Sequence, residues 1–414
     1  MNWMRPDSSE AHNPLHGEGH RSRPFCWCTV RAQSPETWCE RVSKFDLIVV
    51  GGGIAGSAAA LRAAQYEHIR VGWLLGDRIT TKRSRSQWVA NIDNMIGIHD
   101  GIVRAKLARS LRGAEFADAR SALADGHEHI AARDIVRNTV DRVKESYSDR
   151  VTLIKSAATE ASAADGGFVL RAEEEEYRAR FVVLATGVMD RQPLINRDEG
   201  GEAIADASWI FPYANRETVL YCIRCEGHLT SGIPTAVLGH GEGAAQLAMM
   251  LHERYQSACS VLTNGEAASW SDDSSRLLQA YGIAVRPEPI TGVDGAKGDL
   301  QAFVLEGGAR IEVRFGLVAL GLHRVYNDLA RQLGAELADP GAPVDERHVL
   351  IDARGATTTP GLFAVGDMVK RADEPVMKQI YTAQEYAVRA IDAIDAQIRT
   401  DRRRVTLAEL GGAE

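Results

Sequence analysis

The sequence has few cysteines and no long apolar run, and each absence excludes a class of protein. Six cysteines among 414 residues are too few for a fold stabilised mainly by disulfides, so we expect a cytoplasmic protein. No stretch approaches the roughly 18 consecutive apolar residues of a membrane-spanning helix. Residues 1–44 mix charged and polar residues without a continuous apolar core, which argues against a secretory signal and predicts a flexible extension.

An excess of basic residues is also missing. Lysine and arginine total 48 against 56 aspartate and glutamate residues, for a formal net charge of −8, so composition gives no support for nucleic-acid binding. Hydrophobic residues make up 45% and charged residues 25%, which is typical of a globular chain. The length predicts two or three domains.

What the sequence does contain is a glycine turn directly after a strand. The strand Phe45–Val50 runs into G-x-G-x-x-G and an alanine-rich helix. In such a turn Gly51 permits the sharp bend, Gly53 lets the backbone approach a pyrophosphate, and Gly56 lets the helix pack closely on the strand. The next predicted strand ends near Asp77, whose carboxylate can bind an adenosine ribose. The pattern predicts a dinucleotide site, although a plain strand-to-helix connection would use the same glycines.

The same pattern recurs later in the chain. Thr235–Leu238 leads into a second turn at 239–244 and a helix that ends near Tyr255. Two such units predict an α/β fold of two Rossmann-like three-layer nucleotide-binding domains. Between the units, alternating residues predict a meander of three strands at 151–157, 167–174 and 177–184.

A buried strand is predicted at 362–365, ahead of a helix. The apolar residues of that helix recur with helical spacing and are Ile380, Ala383, Ala387, Ile391, Ile394 and Ile398. The charged residues 401–414 after it are expected to form a frayed tail.

A C-x-x-C pair, Cys222 and Cys225, precedes the second unit. Two cysteines at this spacing can close a small disulfide, and Arg224 together with a helix start would favour the thiolate. Half of a zinc site, completed by His228, is the alternative, but no second ligand pair follows at suitable spacing, so we predict no metal site.

With these motifs in this order, the sequence resembles the low-molecular-weight thioredoxin reductase family of flavoprotein disulfide reductases. The resemblance covers about 45–398 and rests on segments 51–56, 94–97, 100–102, 185–187, 239–244, 359–367 and 378–379, together with the cysteine pair. It implies a homodimer whose FAD-binding domain is split into 45–187 and 318–400. The domain that carries the cysteines is inserted at 188–317.

The resemblance also implies which residues bind FAD. The matches to the family's FAD contacts are Gly51, Gly53, Ile54, Ala55, Gly56, Asp77, Asn94, Ala185, Thr186, Gly187, Gly366, Asp367, Gln379 and Ile380. Among them, Asn94 would contact the flavin side, Asp367 the ribityl chain, and Gln379 with the following helix start the isoalloxazine ring.

In the implied reaction, electrons pass from a donor to FAD, then to the Cys222–Cys225 disulfide, then to a thioredoxin-like protein or a small disulfide. Cys225 would face the flavin, and Cys222 would attack the partner. Glu226 would shuttle the proton, with His228 as a second candidate. Two alternatives stay open: a dithiol oxidase that uses oxygen, and a flavin-binding redox sensor without efficient turnover.

The residues of the second glycine turn and of the strand after it do not identify the electron donor. Its candidate nicotinamide-binding residues are Gly239, Gly241, Glu242, Gly243 and Ala244. Members specific for NADP place a basic cluster after the next strand, but residues 255–275 include no lysine or arginine. A 2′-phosphate would have no cationic partner there. Thr263 and Asn264 do not supply the carboxylate that favours NAD either. NADPH is therefore disfavoured, NADH possible, and a ferredoxin-type donor open.

Two further features have no assigned role. The segment 103–129 is longer than its family counterpart and predicts an added helix pair. Cys26, Cys28 and Cys39 lie in the N-terminal extension at a spacing that matches no strong zinc pattern, and Cys259, beside a strand, is expected to be an inert thiol.

Overall fold

The structure is a computed structural model that describes residues 45–87, 95, 131–199, 202–296 and 298–411. Several predictions from the sequence concern residues outside these ranges. They are the flexible extension with Cys26, Cys28 and Cys39, the flavin contact Asn94, and the added helix pair at 103–129. Among the described residues, no helix combines the length and the apolar character needed to cross a bilayer.

Helices and strands alternate along much of the chain. The helices are α1 (Ile54–Ala64), α2 (Arg78–Lys82), α3 (Ala132–Ser146), α4 (Ile210–Asn215), α5 (Ile223–Glu226), α6 (Glu242–Tyr255), α7 (Asp272–Ala280), α8 (Asp328–Gln332) and α9 (Ile380–Gly411). The strands up to the first crossover are β1 (Phe45–Val50), β2 (Val71–Leu74), β3 (Val151–Ile154), β4 (Ala158–Ala164), β5 (Gly167–Ala172), β6 (Glu175–Leu184) and β7 (Val188–Asp190). Those that follow are β8 (Ile195–Glu199), β9 (Glu202–Asp206), β10 (Val219–Leu220), β11 (Thr235–Leu238), β12 (Cys259–Leu262), β13 (Ala284–Arg286), β14 (Ile290–Asp294), β15 (Ala302–Leu305), β16 (Arg310–Glu312), β17 (Phe315–Val318), β18 (Leu322–Val325), β19 (Val349–Ile351), β20 (Leu362–Ala364) and β21 (Val369–Arg371).

The first sheet is built around β1, which is buried along nearly its whole length. It has the strand order β3-β2-β1-β6-β5-β4, with β20 also paired to β6. The neighbours of β1 are parallel to it, as expected for an apolar strand covered on both faces. Helices α1 and α9 pack together on this sheet through small residues such as Ala59, Ala63 and Ala387, whose side chains are fully buried. The predicted strand at 362–365 is confirmed as β20.

The predicted meander is partly wrong. Strand β3 does not belong to it, because β3 pairs parallel to β2 at the edge of the main sheet. The meander instead consists of β4, β5 and β6, which pair antiparallel. Strand β4 was missed because its sequence, Ala-Thr-Glu-Ala-Ser-Ala-Ala, has almost none of the large β-branched or aromatic residues that indicate a strand.

The second sheet, like the first, is built around a buried parallel strand that follows the same sequence pattern, here β11. Five parallel strands have the order β10-β17-β11-β12-β13, and a separate antiparallel sheet contains β14, β15 and β16. Its hydrophobic core, which includes Trp209 and Phe303, is distinct from the core of the first sheet. The fold class predicted from the sequence is therefore confirmed. The chain crosses between the sheets twice, and both crossings include a strand of the antiparallel pair β7 and β18.

Helix α9 is longer than predicted. Its buried residues Ala383, Ala387, Ile391, Ile394 and Ile398 have the predicted helical spacing. The helix then continues to Gly411, so the frayed tail expected from 401 onwards is wrong for residues 401–411. Two contacts hold this extension: Asp401 pairs with Arg180, and Arg402 donates a hydrogen bond to the His68 carbonyl at 3.0 Å.

Candidate active site

The first glycine turn has the tight geometry expected from its sequence. Gly51 has a φ of +126°, and a Cβ there would lie 2.2 Å from the Ala185 carbonyl oxygen. A Cβ at Gly56 would lie 1.9 Å from the Gly51 carbonyl oxygen, so helix α1 starts in direct backbone contact with the turn. The buried indole of Trp73 donates a hydrogen bond to the same carbonyl at 2.9 Å. These contacts hold the turn in one conformation.

Next to this tight turn the backbone borders open space. A Cβ at Gly53 or at Gly187 would meet no atom of the described residues within 4 Å. Gln379 lies at the start of α9 with its side chain 5% exposed, and its Oε1 is buried without a hydrogen-bond partner. A buried acceptor that lacks a donor is costly unless a ligand supplies one. The open cradle and the unpaired Gln379 oxygen both fit a bound FAD.

Other predicted FAD contacts lie around the same turn. Ile54 and Ala55 are the first residues of helix α1. Gly366 has a φ of +81° and approaches this helix so closely that a Cβ on it would lie 2.7 Å from the Ala55 Cβ. Ala185 donates its N–H to the Val50 carbonyl at 2.8 Å. The Thr186 hydroxyl donates to the Tyr326 carbonyl at 2.6 Å. The structure therefore brings these separate segments to one edge of the first sheet.

Asp77 has a structural role that the sequence did not predict. It is the N-cap of α2, and its Oδ1 accepts hydrogen bonds from the Thr80 N–H at 2.7 Å and the Thr80 hydroxyl at 2.9 Å. These bonds from Thr80 lower the pKa of the Asp77 carboxyl. The carboxylate is thus held in a fixed orientation at the end of β2, where ribose recognition was predicted.

Arg85 is a residue of this site that sequence reasoning missed. Its guanidinium contacts two carboxylates, Asp190 Oδ2 at 2.7 Å and Asp367 Oδ2 at 3.0 Å, and all three side chains are less than one-fifth exposed. The two carboxylates raise the pKa of Arg85 against the effect of burial. Burial and the nearby Arg85 lower the pKa of the neighbouring Lys378. The predicted ribityl contact Asp367 is therefore paired with a buried cation.

The two cysteines of the C-x-x-C motif form a disulfide, with their Cα atoms 5.3 Å apart. Cys222 is the N-cap of α5, and its Sγ accepts a hydrogen bond from the Cys225 N–H at 3.2 Å. An N–H directed at this sulfur stabilises negative charge on it once the disulfide is reduced. Both cysteines are half-buried, which leaves part of the sulfur pair accessible.

The carboxyl group next to the disulfide is buried. Glu226 is 4% exposed, and burial, reinforced by the charge of Glu217, raises its pKa to about 7. Its Oε2 accepts the Tyr221 N–H at 3.4 Å. A carboxyl that titrates near neutral pH can hold or release a proton during turnover. His228, the second candidate proton shuttle, is exposed in the following turn.

One contact joins the disulfide helix to the predicted flavin segment. The exposed side chain of Arg224, between the two cysteines, donates a hydrogen bond to Met377 Sδ at 2.8 Å. Met377 lies two residues before Gln379 in the chain. This side-chain contact connects the disulfide helix with the segment that leads into the N-terminus of α9.

The second glycine turn differs from the first because a neighbouring segment lies over it. The Ser269 N–H donates to the His240 carbonyl at 2.7 Å, and Ser269 forms a β-bridge with Gly241. Glu242, in the first turn of α6, accepts the Ser271 N–H at 2.8 Å and the Ser274 hydroxyl at 2.6 Å. Hydrogen bonds from Ser274 and Gln246 lower the pKa of Glu242 to about 2.

The remaining described residues give no metal site and no further reactive thiol. Among them, no group of three or more histidine, cysteine, aspartate or glutamate residues is arranged to hold a metal ion. Burial raises the pKa of the Cys259 thiol to about 12, which agrees with the inert thiol expected at this position.

The sequence and the fold are similar to those of known proteins. A family model, pyridine nucleotide-disulphide oxidoreductase, matches residues 45–387. The F subunit of the alkyl hydroperoxide reductase of Xanthomonas campestris pv. phaseoli is 25% identical over 374 residues, which cover 86% of this chain and 58% of that protein. The chain thus spans less than two thirds of the length of this relative.

Solved structures support the same fold. The thioredoxin reductase from Streptococcus pyogenes MGAS5005 has a TM-score of 0.64 at 17% identity and covers 86% of this chain and 98% of that one. The thioredoxin reductase from Giardia duodenalis has a TM-score of 0.62 at 15% identity, covering 86% and 99%. The match of the family model to most of the chain confirms the kinship inferred from the sequence motifs. The chain belongs to the pyridine nucleotide-disulphide oxidoreductase family.

Proposed function

We propose that this protein is an FAD-dependent disulfide oxidoreductase of the thioredoxin reductase type. The observation that carries the proposal is the Cys222–Cys225 disulfide on α5, linked through Arg224 and Met377 to the segment before Gln379. The family implies FAD and a nicotinamide nucleotide. When bound, FAD would supply a two-electron exchange with the cysteine pair.

The residues that would hold FAD follow from the open side of the first turn. Gly53 and Gly187 would let the cofactor approach the backbone, and the N–H groups at the start of α1 would bind its phosphates. Gln379 Oε1, buried and unpaired, would accept a hydrogen bond from the ring.

In the proposed reaction the reduced pair attacks a substrate disulfide. The Cys222 thiolate forms a mixed disulfide and displaces one substrate thiolate; the Cys225 thiolate then attacks Cys222 Sγ, restores the Cys222–Cys225 bond and releases the second substrate thiolate. Glu226 provides or accepts the proton that this exchange needs, because its raised pKa lets it change charge near pH 7. We propose a thioredoxin-like protein, a peroxiredoxin-type partner or a small disulfide as substrate.

The reverse direction is a second candidate, favoured by the lack of lysine and arginine at residues 255–275, where a nucleotide 2′-phosphate would need a cationic partner. In that case a small dithiol would be oxidised by dioxygen, with the disulfide and hydrogen peroxide as products. Peroxide that appears in equal amount to the disulfide, when dithiol is added in air, would identify this direction.

The test is to purify the protein, measure its flavin content, and compare the wild type with Cys222→Ser and Cys225→Ser. We expect all three to bind FAD and both variants to lose catalytic turnover of thioredoxin and of 5,5′-dithiobis-(2-nitrobenzoate), with Cys225→Ser limited to a single mixed disulfide at Cys222. Cys259→Ser is the matched control, because that thiol is half-buried, belongs to β12 and forms no disulfide, and the variant should keep full turnover. Colourless protein that takes up no FAD, or turnover in both cysteine variants, would contradict the proposal.

A further inference from the structure

Lys378 is a half-buried cation that has no role in the reaction proposed above. It lies between Met377, which accepts the hydrogen bond from Arg224 of the disulfide helix, and Gln379, which directly precedes α9. Burial is the main reason why the pKa of its ammonium group is lowered. An ammonium group that loses water needs an anion or several hydrogen-bond acceptors in return.

The described part of the chain gives Lys378 no such partner. Its ammonium forms neither a hydrogen bond nor an ion pair with any described residue. Lys370, another half-buried lysine of the same region, differs in this respect, because it donates to both carboxylate oxygens of Asp339, at 2.7 and 2.9 Å. The charge of Lys378 is therefore left without a contacting counter-ion.

The two carboxylates that attract Lys378 are already bound to another cation. Asp190 and Asp367 contact Arg85 at 2.7 and 3.0 Å. Burial lowers the pKa of Lys378 most, the charge of Arg85 lowers it further, and each of the two carboxylates raises it by less. Arg85 thus uses the anions that could have neutralised Lys378.

The imidazole of His348, whose pKa responds to the charge of Lys378, does not supply an anion either. His348 is 7% exposed, and burial together with the charge of Lys378 lowers its pKa to about 4. The ring is therefore uncharged at neutral pH, and its buried Nε2 has no hydrogen-bond partner among the described residues. The charge of Lys378 points to a group that the chain itself does not contain.

The polar cluster around Lys378 adjoins the open cradle of the first glycine turn. Asp367 follows Gly366, where a Cβ would lie only 2.7 Å from the Ala55 Cβ at the start of α1. Gln379, the next residue after Lys378, has a buried Oε1 that accepts no hydrogen bond from the described residues. Adjacent residues thus offer an unpaired cation and an unpaired acceptor. A flavin ring suits both, since carbonyl oxygens flank an N–H along its pyrimidine half.

We propose that Lys378 is a cofactor-binding residue, whose ammonium group pairs with a carbonyl oxygen on the pyrimidine half of the flavin ring of FAD. Its positive charge favours the electrons that bound FAD accepts, and the protein without FAD carries this charge at a cost in stability. The inference deepens the proposed function and rests on it, because it requires that FAD binds at the first turn.

The first test compares the full-length protein freed of FAD with Lys378→Met, which has a side chain of similar length and no charge. Because this variant removes an uncompensated cation, its urea midpoint should be unchanged or higher. Lys370→Met is the matched control. It removes a lysine that has a counter-ion, so its midpoint should be slightly lower or unchanged. A lower midpoint in Lys378→Met would show that Lys378 stabilises the fold, and would overturn the inference.

The second test measures the affinity of the same proteins for FAD by fluorescence titration. Lys378→Met should bind FAD at least about tenfold more weakly, because a charge-assisted hydrogen bond is lost. Lys378→Arg keeps the charge and should recover most of the affinity, and Lys370→Met should bind like the wild type. The ratio of reduced to oxidised bound flavin, in equilibrium with a redox dye, should fall by about tenfold in Lys378→Met and recover in Lys378→Arg.

Amine labelling gives a readout that needs no variant. Acetic anhydride should acetylate Lys378 in the protein without FAD and react several-fold more slowly with FAD bound, whereas the exposed Lys144 should react equally in both. Equal labelling of Lys378 in both forms, or equal FAD affinity in Lys378→Met and the wild type, would overturn this inference and leave the proposed function intact. Wild-type protein that takes up no FAD would overturn both.

Discussion

The two glycine turns of this chain share a sequence pattern and a βαβ setting, yet their surroundings are opposite. At the first turn, Gly53 faces open space and Gln379 offers a buried, unpaired oxygen. At the second, Gly241 forms a β-bridge with Ser269, and the carboxylate of Glu242 accepts hydrogen bonds from Ser271 and Ser274 at the start of α7. A glycine pattern therefore predicts the shape of a turn, while the residues packed over the turn decide whether a ligand can enter.

Charge separates the two turns as clearly as shape does. Near the first, the cations Arg85 and Lys378 accompany the carboxylates of Asp190 and Asp367, whereas the described contacts of the second include one carboxylate, Glu242, and no cation. Substitutions in both halves of the chain can test this contrast, and the largest effect is expected at the first turn.

Replacing Arg85 should cause the largest loss of stability. Arg85→Ala would leave Asp190 and Asp367 facing each other as buried carboxylates, which typically costs about 3–5 kcal/mol. Urea unfolding measures the loss. The control is Arg137→Ala, which removes an exposed pair with Asp134 and should cost at most about 1 kcal/mol. Similar losses in the two variants would mean that the cluster at the first turn is no stronger than a surface ion pair.

Glu226 and Glu242 belong to the same half of the chain, but their pKa values shift in opposite directions. The raised pKa of Glu226 means that the folded protein keeps a proton which the unfolded chain releases above its ordinary pKa of 4.5. Stability should therefore fall as pH rises from about 4.5 to about 7, by about 3 kcal/mol in total, and stay low above that.

Glu226→Gln cannot ionise and should escape that loss, so its advantage over the wild type grows with pH. Urea midpoints of the disulfide form at pH 5, 6, 7 and 8 measure the difference. In Glu217→Gln the removal of a neighbouring charge should lower the pKa of Glu226 and move the transition to lower pH. Parallel curves of stability against pH for the wild type and Glu226→Gln would contradict the raised pKa.

The rate of thiol–disulfide exchange should also be lower in Glu226→Gln, by about 10²-fold if the proton transfer is rate-limiting.

A matched pair of glycine substitutions tests whether FAD binds at the first glycine turn and not at the second. In Gly53→Ala the added methyl meets no atom within 4 Å in the part of the chain that the structure describes, so the apoprotein should keep its stability while FAD affinity falls at least about tenfold. Gly241→Ala has the equivalent position in the second turn and should keep full flavin content. Fluorescence titration of apoprotein with FAD gives both values. Flavin loss in Gly241→Ala, or none in Gly53→Ala, would reverse the comparison.

The smallest effect is expected from Glu242→Gln. Because hydrogen bonds lower the pKa of Glu242 to about 2, its stabilisation is present above the ordinary pKa of 4.5 and is lost as pH falls towards 2. The wild type should show a shallow loss of stability over that interval which Glu242→Gln lacks. Thermal melting at pH 2.5, 3.5, 4.5 and 6 measures it, and a larger drop in the variant at pH 2.5 than at pH 6 would refute the explanation.

Much of the fold followed from local patterns. The apolar strand β1, the turn at 51–56 and the spacing of Ile391, Ile394 and Ile398 depend on neighbours in sequence, and the structure has each of them. The cysteine pair and the adjacent Glu226 were also recognisable, because the motif carries its own chemistry. The burial of Glu226 could not be predicted, because a short motif does not show how far the folded chain covers a side chain.

What could not be predicted depends on contacts between distant segments. Arg85 lies in a stretch rich in arginine and serine, and nothing local shows that it meets Asp190 and Asp367. The partners of Glu242 lie about thirty residues later, beyond β12, so the local sequence did not show that its carboxylate binds Ser271 and Ser274. Strand β4 was missed because pairing with β5, and not residue preference, makes it a strand.

The double ion pair of Arg85 has a mechanical consequence. Asp190 ends β7, one of the two antiparallel strands through which the chain passes between its two sheets, whereas Asp367 belongs to the cofactor side. Arg85 therefore connects this antiparallel strand pair to Asp367, the residue predicted to contact the ribityl chain of FAD. A ligand that draws the Asp367 carboxylate to itself would release half of that tie, so we expect the ribbon to bend more easily in loaded protein than in empty protein.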